Sequence, residues 1–147
     1  MSMEMRVYFA GSPPSCEAVE NAMAAIDLPF KITEHVDLAK HSGYLPMKYG
    51  TGDDAHDTGT EVYFDAKAST IEEFELKGVD PSFTTEISFS FGRDMMECVA
   101  AEALAAAIAK LTGGIVYEDT EGVLKTVDEA IALAHANLPA ALKDLQS

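Results

Sequence analysis

Basic residues are scarce in this chain: 10 lysines and arginines stand against 25 aspartates and glutamates over 147 residues, a formal net charge of −15 at pH 7. Such a balance repels phosphate backbones and anionic lipid surfaces, which argues against nucleic-acid or membrane binding and favours cationic protein partners. Cysteine is scarcer still. Cys16 and Cys98 lie far apart, without the C-x-x-C spacing of zinc or redox sites, and read as core thiols of a reducing compartment. Long apolar runs are missing as well. The longest, residues 103–109, is far short of the roughly 20 residues that span a bilayer. The first residues carry Glu4 and no sustained apolar stretch, unlike a secretory signal, so a cytoplasmic location is expected. Repeats, low-complexity segments and linkers are lacking, and 48% hydrophobic residues suffice for a core, so one globular domain over residues 1–147 is expected. Signatures of catalysis are equally thin. The glycines near Gly11 and Gly50 lack a phosphate-loop lysine, no G-x-S-x-G is present, and neither thiol has a local partner. No cofactor is expected.

What is present begins with the segment 94–112. Asp94 can cap a helix, Glu97 stands where a capping box needs it, alanine fills the interior, and Gly113 supplies a left-handed stop. Only Glu97, Glu102 and Lys110 carry charge inside it, so a central, largely buried helix is expected. Leu104, Ile108 and Leu111 form its bulky face; Cys98, Ala105 and Ala109 form a face for close approach. Upstream, residues 6–10 read as a strand, and Cys16, Val19, Met23 and Ile26 recur at helical spacing up to Leu28-Pro29. Residues 30–36 and 44–49 read as strands, 50–59 as an exposed loop, 60–65 as a strand, and the ambiguous 71–76 as a strand too. The clearest strand is 82–91, where Phe83, Thr85, Ile87, Phe89 and Phe91 alternate with polar residues before Arg93 closes it. Short strands at 115–117 and 123–124 follow, then a Thr126/Glu129 capping box and a helix expected to break at Pro139. Strand blocks separated by helices, without regular alternation, imply an α+β fold. The expected form is an antiparallel or mixed sheet of about five to seven strands with helices on one face and a wet opposite face.

Charge distribution is the most informative functional feature. Residues 50–75 hold eight acids and one base, with a second acidic patch at Glu118, Asp119 and Glu121. Tyrosines interleave with the first patch, a composition suited to capturing a basic protein. The candidate partner-binding residues are Tyr44, Tyr49, Asp53, Asp54, Asp57, Glu61 and Tyr63. The alternative from another class is a small metal-assisted hydrolase using Asp54, His56 and Asp57.

Three segments, 43–47, 61–65 and above all 96–98 with the alanine run into residues 111–122, resemble a group of small acidic bacterial proteins of unassigned function, similar to immunity proteins of toxin systems. The resemblance covers roughly residues 43–122 and carries no catalytic signature. It implies a binding protein that silences a cognate toxin; the cationic partner is expected from the charge, and the chain itself is expected to be a monomer or homodimer. A small acidic α+β chain also fits a secretion chaperone.

Overall fold

The computed structural model describes residues 3–92 and 94–145, with the side chain of Asp54 outside the description; Arg93, expected to close a strand, also lies outside it. Among the described residues, β1 (Met3–Phe9), β2 (Phe30–Ile32), β3 (Ser42–Tyr49), β4 (His56–Asp65), β5 (Thr85–Phe91), β6 (Ile115–Glu118) and β7 (Val123–Lys125) form one sheet, ordered β2-β3-β4-β5-β1-β6-β7. Every pairing is antiparallel. The first strand sits between the fifth and sixth, so contacts distant in sequence form the middle of the sheet.

Four helices complete the fold among the described residues: α1 (Cys16–Ala25), α2 (Thr70–Glu73), α3 (Met95–Thr112) and α4 (Val127–Leu145). The α3 helix is capped as its sequence dictates, since the Asp94 side chain accepts from the amide of Met96 and Gly113 adopts φ 73°. Having no polar face, it is buried almost all round, lying between β1, β4 and β5 on one side and α1 and α4 on the other. Ala100, Ala101, Ala103, Ala105, Ala106, Ala107 and Ala109 are wholly buried, so backbones approach closely along its length. Met5, Val7, Phe9, Leu45, Met47, Val62, Ile87 and Phe89 project from the sheet into the same core. The expected bulky face holds for Leu104 and Ile108 but not for Leu111, which is 44% exposed in the helix's last turn.

Five further local expectations change. The clearest strand begins at Thr85, not at residue 82, and Phe83 lies in the turn before it, its amide donating to the Asp80 carbonyl at 2.9 Å. Residues 71–76 form no strand: α2 lies there, flanked by Ala68 and Glu75 at positive φ. Strand β4 starts at His56, inside the stretch read as loop, because residues 56–63 pair in full with β3. The alternation read over 30–36 yields only the short β2. And α4 runs through Pro139, whose side faces solvent, because the apolar face resumes with buried Ala141 and half-buried Leu142. The Thr126/Glu129 capping box forms reciprocally, at 3.0 and 3.2 Å.

Candidate functional site

Side chains alternate across a pleated sheet, so register decides which residues share a face. The face turned from α3 collects Glu4, Arg6 and Tyr8 of β1, Glu86, Ser88 and Ser90 of β5, Asp57, Gly59, Glu61 and Tyr63 of β4, and Tyr44 and Lys48 of β3. Half of it is covered. The segment 66–84, which contains α2, lies over β1 and β6: Thr70 donates to Glu86 and sits 2.7 Å from the Tyr8 hydroxyl. Phe74 spans Arg6 and Tyr117, 5.0 Å from the guanidinium to the ring centroid and 6.1 Å between rings. Beneath it Arg6 is nearly buried, bonded to Asp119 and lying 3.3 Å from Glu4 and 3.5 Å from Glu86. Removing a base from water demands such partners, so this cluster is a structural clasp.

The other half is open, and one cross-strand row there runs Tyr44, Glu61, Ser90, Glu4 through β3, β4, β5 and β1. Ser90 leaves the row low in its middle, and Ser88 does the same for the neighbouring row of Tyr63 and Arg6. Tyr44, 52% exposed, stands at its rim and passes over Gly59, where an added Cβ would come within 2.5 Å of the tyrosine hydroxyl. His41 Nε2 lies 3.0 and 3.2 Å from the carbonyls of Gly43 and Tyr44, holding the start of β3.

The central helix begins at the same end of the sheet. A cavity of about 270 Å³ is lined there by Tyr44, Thr60, Glu61, Ser90, Phe91, Gly92 and Glu97. Glu97 does not close the expected capping box; its carboxylate accepts from the amide of Gly92 at 3.4 Å and so faces this cavity. Burial, and then the negative charges of Glu97, Asp57 and Asp94, hold the Tyr44 phenol above its ordinary pKa. The hydroxyl therefore remains a donor at neutral pH, within the field of carboxylates from β4, the α3 cap and α3 itself. On the far side of Phe91 the second acidic patch arrives: Glu118 on β6 accepts the amides of Thr120 and Glu121 at 2.9 and 2.8 Å, and Glu121 is exposed. Glu61 of the first patch and Glu118 of the second thus both lie toward the end of the sheet where β5 finishes.

Of the residues expected to bind a partner, Tyr44, Asp57, Glu61 and Tyr63 share this open face, with the Tyr63 hydroxyl donating to Glu61 at 2.6 Å. Asp53 is exposed in the 3₁₀ turn Gly52–Asp54 between β3 and β4. Tyr49 points to the opposite face, half-buried and edge-on to Phe30 at 5.1 Å. The side chain of Asp54 lies outside the described residues. His56 and Asp57 are consecutive in β4 and project to opposite faces, so they do not converge on one ion; Asp57 instead lies 3.5 Å from Lys48. Among the described residues no group of three His, Cys, Asp or Glu side chains is arranged to hold a metal.

Asp94 and Glu97 read in sequence as caps alone, and no local signal ties them to Tyr44. Neither thiol is poised as a nucleophile: burial, then the charge of Glu102, pushes Cys98 up to about 12, and burial raises Cys16, whose thiol donates to the Val36 carbonyl at 3.3 Å. What the open end offers is acceptor oxygens beside an exposed aromatic ring, the chemistry of cation capture. No protein-family model, no curated protein and no solved structure matches this chain.

Proposed function

We propose that this protein is a non-enzymatic binding module of immunity or inhibitor type, which covers the basic site of a cationic partner protein with the acidic end of its sheet. The observation that supports this best is Tyr44: an exposed ring at the mouth of a cavity shared with Glu61 and Glu97, in the field of Asp57 and Asp94. A guanidinium or ammonium entering beside that ring exchanges water for charge-assisted hydrogen bonds and an aromatic face. Tyrosine is also a residue type on which interface energy concentrates. The net charge of −15 steers a cationic partner from a distance.

The test is fluorescence anisotropy with a labelled arginine-rich nonapeptide as the basic probe, and its charge-reversed counterpart as control. Binding that weakens with salt, and that falls about tenfold or more in Tyr44→Ala and in Glu97→Gln, is the expected result. Equal binding by wild type and both variants would remove this end of the sheet as the capturing surface.

A further inference from the structure

A second cavity, of about 190 Å³, opens on the other side of Phe91 and is unlike the first in having a buried acid within it. Met3, Thr120 and Glu121 are exposed at its mouth, while Met5 and Glu102 are buried inside. Glu102 is only 4% exposed on α3, a helix otherwise free of buried charge. One of its oxygens, Oε2, accepts from the Asn137 amide of α4 at 2.8 Å, while Oε1 is buried with no partner in hydrogen-bond geometry, the neighbouring Cys98 thiol favouring the ionised carboxylate without closing a well-formed bond to it. An unpaired carboxylate oxygen in so apolar a position costs stability, which a stabilising cation would recover.

We propose that this cavity is a slot for a primary alkylammonium group, with Glu102 Oε1 receiving the ammonium and Met3, Met5 and Leu133 flanking the aliphatic stem. Three features select that chemistry. The second oxygen is already taken by Asn137, so the fork of an arginine has no matching pair of acceptors, whereas an ammonium is a point donor. Both oxygens of neighbouring Glu118 already serve turn amides, so the free acceptor inside is that of Glu102. The volume is below the roughly 300–1,000 Å³ of sites for drug-sized ligands, which suits a short unbranched chain.

Ionisation gives the slot a signature. Burial first, opposed by the hydrogen bond from Asn137 and by Cys98, and reinforced by the charge of Glu118, moves Glu102 up to about 7. The groups facing it are the Cys98 thiol of α3, Asn137 and Leu133 of α4, Glu118 of β6, Lys125 of β7, and the exposed Glu121, together with Met3, Met5 and Phe91. Cys98 stays neutral across the physiological range. An ammonium binds the ionised carboxylate, so affinity rises about tenfold from pH 6 to pH 8 while the amine itself remains charged.

The inference does not depend on the reading of the Tyr44 cavity. It is tested by amide-resolved NMR titration of the full chain with n-butylammonium chloride, with n-butanol as the neutral control, and with a pentapeptide carrying one central lysine. Saturable shifts at Cys98, Glu102 and Asn137 with the ammonium, absent with n-butanol, about tenfold tighter at pH 8 than at pH 6 and lost in Glu102→Gln but kept in Glu97→Gln, are expected. Binding of the lysine peptide as well assigns the slot to a side chain of a protein partner; binding of the free amine alone assigns it to a small amine. No saturable shift with either, equal response to n-butanol, or an unchanged response in a folded Glu102→Gln overturns the proposal. The wild-type pH dependence keeps the test decisive even if that variant fails to fold.

Discussion

At the scale of single residues, the chain places one side chain against its own solubility: Glu102, a carboxyl group inside an alanine-rich helix that is buried on nearly every side. Its ionisation at about 7, raised above the ordinary value by burial, fixes the sign of a stability effect. An acid that ionises at higher pH when folded than when unfolded binds more protons in the native state over that window. Stability is then full below the unfolded value, falls as pH rises towards 7, and remains reduced above it. Glu102→Gln keeps an acceptor for Asn137 and never ionises. Relative to wild type it should be near neutral at pH 4 and more stable at pH 8 by on the order of 3 kcal/mol. Urea melts at both pH values measure this, and a difference that does not change with pH would contradict it. Arg6 illustrates the opposite solution. It is also nearly buried, but Asp119, Glu4 and Glu86 surround it, and Phe74 lies across it. Composition marks neither residue as special, because burial of a charge is a property of its neighbours.

At the scale of elements, α3 shows how far local sequence reaches. Asp94, the alanine run and Gly113 predict its start, its burial and its stop, and each is realised. Packing carries the consequence further. Ala105 is wholly buried where α3 meets its neighbours, so Ala105→Leu would force extra methylenes into a filled space, at a cost of about 1 to 3 kcal/mol. Chemical denaturation measures that cost, and an unchanged midpoint would mean the helix has room on that side. Leu111 marks the limit: helical periodicity puts it in line with Leu104 and Ile108, yet the last turn runs past the covering elements and leaves it in solvent. The segment containing α2 marks another. Phe74 and Leu76 alternate with acids as a strand would, but Phe74 caps Arg6 and Tyr117 as part of a covering turn, and Ala68 and Glu75 take positive φ beside it. A residue at positive φ is set by where the chain must go next, and alternation carries no record of that.

At the scale of the whole molecule, the net charge of −15 becomes a direction only when the fold gathers it. Asp57 and Glu61 of β4, Asp94 and Glu97 at the start of α3, and Glu118 of β6 lie toward the end where β5 finishes, and Asp53 stands farther out, on the exposed turn between β3 and β4. Charge reversal should therefore depend on place. Glu97→Lys should slow association with a basic peptide more than Asp53→Lys does, and the difference should shrink as salt rises, since screening acts over about 10 Å at 0.1 M. Stopped-flow association rates for the two variants decide this; equal slowing would mean that total charge alone steers the encounter.

The sequence by itself determined the α+β class, the alanine-rich central helix with its caps, the alternating β5 strand and the acidic character, because each rests on local propensity, period or composition. It also pointed to Tyr44, Asp57, Glu61 and Tyr63, which share a face because residues an even number of positions apart on a strand do so, and because β3 and β4 are adjoining strands. Only the tertiary structure decided that β1 lies between β5 and β6, which brings Glu4 and Arg6 to Ser90, Ser88 and Tyr117. Only it covered half of the expected wet face and set Asp94 and Glu97 near Tyr44. The physical reason is common to these cases: strand order and helix docking are chosen by the total burial they achieve, and that sum is made over contacts between residues far apart in the chain.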